Sequence, residues 1–449
     1  MKTKKQFVCQ KCGTVSSLWL GRCPNCKEWD TFAEEIITQN TNNSLSTSQN
    51  KTYRIDEIIT DEKIRISTNN NELDRVLGGG IISGSLILLS GEPGIGKSTL
   101  VLQMALQLEK KILIVSGEES LNQIKLRANR LNSKNNNLFL LSEINIENIL
   151  LEVDKILPEI VVIDSIQTLQ TDTVNTPTGN LSQIRQCASI IQSYAKQKDI
   201  AFIIVGHITK DGSIAGPKLL EHIVDTVLQF EGDNNHSFRI LRSNKNRFGS
   251  TSEIGIFDMT NYGLVEIPNP SELLLSNNTK DYSGVTIGTV FEGSRPFLIE
   301  IQALVGSAVY GTPQRSSSTF DIRRLNMLLA ILEKKIGLKL LNKDVFINIA
   351  GGIKIYDTAI DLPILTSIVS SDVDISIPKN YCFCGEVSLT GEIRPVQKTE
   401  NRIKEVQKLG FKKIFISKLT KNINEKEFEI EIVKIETINE LFQKLFVKK

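Results

Sequence analysis

Nine consecutive residues, Gly91-Glu92-Pro93-Gly94-Ile95-Gly96-Lys97-Ser98-Thr99, restrict what this chain can fold into more than any other feature. They fit the pattern G-x-x-x-x-G-K-S. Its glycines let successive backbone N–H groups turn inward at a helix start and form a nest for an anion. The pattern works only between a buried strand and a helix. Leu86–Ser90 is an aliphatic run suited to that strand, and Thr99–Glu109 is a segment suited to that helix. Lys97 is expected to reach the β- and γ-phosphates of a nucleotide, and Ser98 to hold Mg2+. ATP is the expected ligand of the whole stretch from Gly91 to Thr99.

The surroundings extend this reading. From Ile55 to about Pro268, short aliphatic runs (Lys111–Ser116, Ile160–Ile163, Ala201–Val205) alternate with helix-length segments such as Leu181–Gln197. Such alternation implies βαβ units and a buried parallel sheet. The run Ile160-Val161-Val162-Ile163-Asp164 ends a strand in a carboxylate, where Asp164 can orient the water shell of Mg2+. Glu118 and Glu119 follow another strand. A glutamate there can polarise an attacking water; Glu118 is the preferred base and Glu119 the alternative, although two acids also suit a helix start.

The N-terminus carries different chemistry. Four of the seven cysteines fall in the first 26 residues, as Cys9-x2-Cys12 and Cys23-x2-Cys26. Two such knuckles place four thiolates around one tetrahedral Zn2+ with no open position, which marks a structural site. Metal binding would supply on the order of 10 kcal/mol to a module too small to fold alone. Trp19 and Trp29 flank the site and are expected to cover its tiny core rather than stack on bases. Residues 38–52 are Asn/Ser/Thr/Gln-rich and read as a flexible linker. Asn269-Pro270 and Ser276-Asn277-Asn278 mark a second break, after which Arg323–Ile336 reads as an amphipathic helix and Thr358–Val369 as an apolar one.

Composition sets limits. At 449 residues the chain exceeds one ordinary core, and 40% hydrophobic with 23% charged residues is a globular balance. No apolar run approaches the roughly 20 residues of a membrane span. MKTKKQFVCQ lacks an apolar segment of the signal-peptide kind, so a cytoplasmic location is expected. A net charge of +2 neither demands nor excludes nucleic acid.

The order strand, phosphate loop, helix, then Ser116-Gly117-Glu118-Glu119-Ser120, then VVIDSIQT resembles the RecA/DnaB/KaiC ATPases. Two further segments narrow the likeness: His207-Ile208-Thr209-Lys210-Asp211-Gly212 through Gly216-Pro217, and, after an expected strand Phe238–Leu241, Lys245-Asn246-Arg247-Phe248-Gly249. With the four-cysteine start and the C-terminal pattern below, the chain closely resembles the bacterial RadA (Sms) family. That resemblance implies a ring-shaped, usually hexameric, DNA-dependent ATPase that uses ATP, Mg2+ and Zn2+. It implies branch migration of recombination intermediates, with translocation on single strands. The partners implied are single-stranded and branched DNA and a recombinase filament. Thr171–Gly179 and the segment after His207 would line a DNA channel, with Lys210 and Lys218 facing phosphates and His207 sensing the γ-phosphate. Lys245 or Arg247 would reach a neighbour's ATP or contact DNA, with Asn246, Phe248 and Gly249 completing the DNA-binding motif.

Residues 345–396 resemble the proteolytic domain of Lon, through Gly385-Glu386, Gly391-Glu392 and Pro395. The nucleophilic serine of that family falls on Ala359. Its lysine falls within Glu400–Arg402, where no lysine occurs. Alanine carries no nucleophile and arginine stays protonated, so a non-peptidase scaffold is expected. Its expected jobs are ring assembly and extra DNA contact, with Arg315, Arg323 and Arg324 as candidates. The expected architecture is α/β: a four-cysteine zinc module (1–30), a linker (31–52), a RecA-like ATPase core with a mainly parallel sheet (53–268), a linker (269–280) and a Lon-like α+β domain (281–449). The rival functions are an ATP-dependent protease and a KaiC-like nucleotide-driven switch.

Overall fold

A computed structural model describes residues 3–9, 14–38, 65–131, 134–207, 220–232, 238–275, 280–308, 313–350 and 355–446. Cys12, Lys210, Lys218 and the expected linker beyond Thr38 lie outside them. Contacts divide the chain into two units, Met1–Ile267 and Pro268–Lys449.

The first strands form a small antiparallel ribbon. Thr3–Cys9 pairs with Val15–Ser16 on one side and Phe32–Thr38 on the other. Its core is Cys9, Cys23 and Phe32, with Phe7 and Cys26 packed against them. Trp19 and Trp29 are 53% and 70% exposed, so they do not cover this core as expected. Among the described side chains, the buried ones of the module are Cys9, Cys23 and Phe32.

The large sheet of the first unit has nine strands among the described residues. They are β1 (Leu86–Gly91), β2 (Ile112–Ser116), β3 (Leu138–Ser142), β4 (Ile160–Asp164), β5 (Ala201–His207), β6 (Thr226–Gly232), β7 (Phe238–Asn246), β8 (Ile254–Thr260) and β9 (Gly263–Glu266). The order is β9-β8-β7-β6-β1-β5-β4-β2-β3. The six strands from β6 to β3 run parallel, and β7, β8 and β9 add an antiparallel edge. β1 is buried along its whole length, so its sequence is continuous rather than alternating. Alternate residues still face opposite layers. Ile87 and Leu89 join the cluster with Leu100, Val101 and Met104 of α2 (Lys97–Gln107). Leu86 and Leu88 join the cluster with Ile149 and Val153 of α4 (Ile146–Ile156) and Ile184 and Ile191 of α5 (Leu181–Lys198). Each such aliphatic side chain contributes about 2 kcal/mol by leaving water. Between them α3 (Leu121–Arg130) opens on a capping box, Ser120 with Gln123, which fixes the turn just after Glu118 and Glu119. A further short helix, α1 (Asn71–Leu77), precedes β1.

The second unit is built on a seven-stranded mixed sheet. Its strands are β10 (Val285–Glu292), β11 (Arg295–Ser307), β12 (Arg315–Ser317), β13 (Lys343–Ile349), β14 (Tyr381–Cys384), β15 (Lys413–Ser417) and β16 (Glu431–Ile435), in the order β12-β13-β11-β10-β14-β15-β16. Helix α6 (Asp361–Val373) is buried from Asp361 through Ser370, as expected of a helix apolar on most faces. It packs so closely on β10 that a Cβ on Gly288 would lie 2.8 Å from Pro363 Cγ. The amphipathic helix expected over Arg323–Ile336 is α-helical over Ile322–Ile331 and continues as a π-helical stretch, Leu332–Ile336.

Candidate functional site

The phosphate loop joins β1 to α2. Gly91, Gly94 and Gly96 have φ of 155°, 79° and 115°. At Gly96 the left-handed backbone angle calls for glycine, while the nearest atom to an added Cβ is the movable Met259 Cε at 2.6 Å. Helix α2 starts with no side-chain cap, which leaves its first N–H groups for an anion. Lys97 is buried, and its Nζ donates to the carbonyls of Gly91 (2.8 Å) and Glu92 (2.9 Å). Nδ1 of His207 lies 3.2 Å from the same nitrogen. Burial lowers the Lys97 pKa to about 8, against the opposing pull of Asp164, Glu118 and Glu92.

Parallel register assembles the rest. His207 ends β5 opposite Gly91, and Asp164 ends β4 opposite Ser116 of β2 and Val205 of β5. Burial raises the Asp164 pKa, while a hydrogen bond with Ser98 lowers it. Ser98 and Asp164, the two residues expected at Mg2+, are thus hydrogen-bonded partners. A hydroxyl and a carboxylate beside a phosphate nest are a donor set that suits this hard cation. Ser165 donates to Oε1 of Glu118 at 2.6 Å. Nε2 of His207 comes within 3.5 Å of the same oxygen without making a hydrogen bond. Since Lys97 can only donate to Nδ1, the imidazole proton belongs on Nε2, facing Glu118. Gln167 Nε2 donates to the His207 carbonyl at 3.5 Å, and its Oε1 is buried without a partner. Glu119 borders the same pocket as Ser98 and Asp164 but is paired with Arg127, while its N–H is held by Ser116 Oγ at 3.0 Å. Ser165 and Gln167 were not singled out from sequence, although they lie one and three residues after Asp164.

The metal residues come together in the ribbon. The sulfurs of Cys9, Cys23 and Cys26 lie within 4.8 Å of one another, Cys9 and Cys26 at 3.6 Å. Three thiols converging on one point, two of them buried, fit a zinc centre whose fourth ligand would be Cys12.

Lys245 to Gly249 sit differently from expectation. β7 runs to Asn246, well beyond the Phe238–Leu241 read from sequence, and takes Lys245 and Asn246 into the sheet edge. Lys245 Nζ donates to the carbonyls of Glu221 and Val224 (2.8 Å), just after the undescribed stretch 208–219. Burial and the charge of Arg247 lower its pKa. Arg247 pairs with buried Asp225 at 3.0 Å. Asn246 donates to the last carbonyls of α1, Val76 (3.4 Å) and Leu77 (3.2 Å). The Phe248 carbonyl accepts from Arg65 at 2.7 Å, and Gly249 lies against Gly78. Thr171 to Gly179 is held in part by Gln183, whose amide donates to the carbonyls of Val174 (2.8 Å) and Thr176 (2.9 Å).

In the second unit Ala359 is fully buried and Arg402 is 2% exposed. The guanidinium donates to Gln397 O (3.1 Å), Thr289 O (2.9 Å) and Asp357 Oδ2 (2.6 Å). Asp357 also accepts from the N–H groups of Phe291 (2.8 Å) and Ala359 (3.0 Å). Phe291, Asp357, Gln397 and Arg402 border a cavity of about 560 Å3. Arg324 is tied to buried Asp361, and Arg315 to Asn326 at 3.3 Å, while Arg323 is largely exposed.

Comparison with known proteins places these parts. Residues 7–34 match the family described as rubredoxin metal binding domain, 54–213 an AAA domain, and 309–420 subunit ChlI of Mg-chelatase. The DNA repair protein RadA of Listeria monocytogenes serovar 1/2a is 45% identical over 449 residues, covering 99% of this chain and 98% of that one. The RadA of Bacillus subtilis strain 168 is 48% identical (92% and 93% covered), and that of Rickettsia typhi 49% (93% and 95%). The chain belongs to the RadA family. For a RadA-family member the three parts are a zinc ribbon, a RecA-like P-loop ATPase core with a mostly parallel sheet, and a ChlI/Lon-like C-terminal domain. Among the described residues no helix is long and apolar enough to cross a membrane.

Proposed function

We propose that this ATPase is DNA-dependent and processes recombination intermediates in DNA repair. It would drive branch migration and unwinding by translocating on single-stranded DNA, as a cytoplasmic hexamer working with a recombinase filament. The observation that carries this reading is the place of His207. One ring nitrogen faces Lys97, the other faces Glu118, and the chain leads directly from it into the 208–219 segment with Lys210 and Lys218. A nucleotide-dependent change at His207 therefore has a covalent route into a lysine-bearing segment suited to DNA phosphates.

The roles follow from position. The Gly91–Thr99 loop cradles the phosphates of ATP. Lys97 leaves the carbonyls of Gly91 and Glu92 for the β- and γ-phosphates. Ser98 and Asp164 hold Mg2+, which when bound neutralises phosphate charge. Glu118, oriented by Ser165, takes the proton of the attacking water. Glu119 is committed to Arg127, which favours Glu118 in that role. Lys245 and Arg247 brace the return of the 208–219 segment through Glu221, Val224 and Asp225, and with Asn246, Phe248 and Gly249 couple it to DNA. Four thiolates, Cys9, Cys12, Cys23 and Cys26, hold Zn2+ as a structural centre. Ala359 and the triply bonded Arg402 speak against peptide hydrolysis.

The test is unwinding of forked DNA, with and without a recombinase filament. Unwinding should require ATP. The Lys245→Ala variant should bind nucleotide normally yet unwind at least about tenfold more slowly, the order expected when a desolvated cation leaves two carbonyls unpaired. Normal unwinding by that variant would remove Lys245 from the coupling route.

A further inference from the structure

The carboxylate of Glu118 is held by Ser165, and the backbone that carries it is gripped by the same stretch of chain. After Asp164 the chain makes one tight 3-10 turn, Ile166–Thr168. Thr168 Oγ1 donates to the Ser165 carbonyl at 2.8 Å, and the Thr168 N–H reaches the same oxygen at 3.3 Å. A β-branched side chain bonded in this way is fixed in one rotamer. It stands against Gly117, the residue before Glu118. A Cβ on Gly117 would lie 2.6 Å from Thr168 Cβ, closer still to Thr168 Oγ1, and 3.3 Å from Ile144 Cγ2. From the other side, the Gly117 N–H donates to the Asp164 carbonyl at 3.0 Å. Gly117 does not have a positive φ, so close approach, not backbone angle, is what calls for glycine here.

One turn thus meets three parts of the site. Ser165 bonds Glu118 Oε1 at 2.6 Å, Thr168 abuts Gly117, and Gln167 Nε2 donates to the His207 carbonyl at 3.5 Å. The Thr168 contact decides where the Glu118 backbone can stand. Non-bonded carbons pack best at about 3.5–4.0 Å, so a methyl at position 117 would force the two segments apart by about 1 Å. A general base displaced by about 1 Å can lose about a hundredfold in rate, because it no longer meets the proton it must take.

We propose that Thr168 is a positioning residue for ATP hydrolysis: packed on Gly117, it fixes the backbone from which Glu118 reaches the attacking water. It acts through Gly117 and needs no contact of its own with the nucleotide. This deepens the reading of Glu118 as the base and rests on it. The experiment measures kcat, and affinity for a non-hydrolysable ATP analogue, in the full-length protein and in Gly117→Ala, Thr168→Gly, the double variant and Glu118→Gln. Gly117→Ala should lower kcat about a hundredfold while analogue affinity stays within about twofold. Thr168→Gly should lower kcat severalfold, since Gly117 then loses its wall. In the double variant the alanine methyl takes the space that Thr168 vacates, and kcat should recover at least about tenfold over Gly117→Ala. Near-wild-type kcat in Gly117→Ala, or a loss that Thr168→Gly does not relieve, would overturn the positioning role. So would a loss shared equally by kcat and analogue affinity, which marks a general loosening of the site. Should Gly117→Ala fail to fold, Thr168→Gly decides alone: wild-type kcat overturns the role, and a lower kcat at unchanged analogue affinity upholds it. Glu118→Gln keeps the two readings apart. Little loss there removes Glu118 as the base and the positioning role with it. A large loss there, beside wild-type rates in Gly117→Ala and Thr168→Gly, removes the positioning role only.

Discussion

The nucleotide site of the first unit and the Lon-like site of the second both gather charged side chains around a helix start, yet they finish them differently. At the nucleotide site the accounts are open. Nε2 of His207 and Oε1 of Gln167 are buried without partners, α2 begins uncapped, and Lys97 rests on its own loop's carbonyls. At the Lon-like site all three guanidinium nitrogens of Arg402 are bonded, Asp357 accepts from three groups, and a buried methyl stands at the expected nucleophile position. Unsatisfied buried polar groups cost about 1–3 kcal/mol each, so they persist where a ligand completes them. The contrast sets a site whose unpaired groups suit a charged ligand against a pair, Arg402 and Asp357, whose charges are bonded within the fold.

That contrast can be broken by substitution. The largest effect is expected from Lys97→Ala, which should lower ATP turnover at least about a thousandfold by removing the charge aimed at the phosphates. Phosphate release near the wild-type rate would end the phosphate-loop assignment. Glu118→Gln should lower turnover about a hundredfold while ATP still binds, whereas Glu119→Gln should cost only severalfold. Equal losses from the two would show that the Ser165 hydrogen bond does not mark the base. In the second unit, Arg402→Ala should cost about 3 kcal/mol of stability by stranding Asp357, read by denaturant unfolding of that unit. Ala359→Ser should add no peptidase activity, since the neighbouring guanidinium keeps its proton; casein cleavage by that variant would reopen the protease reading. The smallest effect is on pH dependence. Lys97 binds phosphate as an ammonium, and its pKa before nucleotide arrives is about 8. Below that value the charge is present and affinity for a non-hydrolysable ATP analogue should be level. Above it each pH unit should weaken binding by up to about tenfold, because binding must then recapture a proton. Affinity level to pH 10 would contradict the burial argument.

Much of this was legible in the sequence because it is chain-local. The phosphate loop, Asp164 at its strand end and the glutamate pair each sit within one short motif, and the aliphatic runs marked the parallel strands. Contacts made across the sheet were not legible. His207 meets Glu118 only because β5, β4 and β2 are neighbours in register, and sequence carries no direct sign of that order. The extent of β7 was missed because its last residues, Asn244-Lys245-Asn246, are polar and lie in the antiparallel edge. Trp19 and Trp29 were misplaced because aromatic residues beside a zinc site suggest a core, whereas both rings are exposed and the described core is made of the sulfurs and Phe32. Ala359 and Arg402 were readable as departures from the Lon pattern, but the pairing of Arg402 with Asp357 was not, because it joins residues 45 apart in the chain.

The most direct test of the central claim is ATP hydrolysis by the full-length protein with and without saturating single-stranded DNA. A DNA-dependent ATPase should hydrolyse ATP at least severalfold faster with DNA, and Lys97→Ala should show no rate in either case. A wild-type rate that DNA leaves unchanged would contradict the account and favour a nucleotide-driven switch without a DNA role.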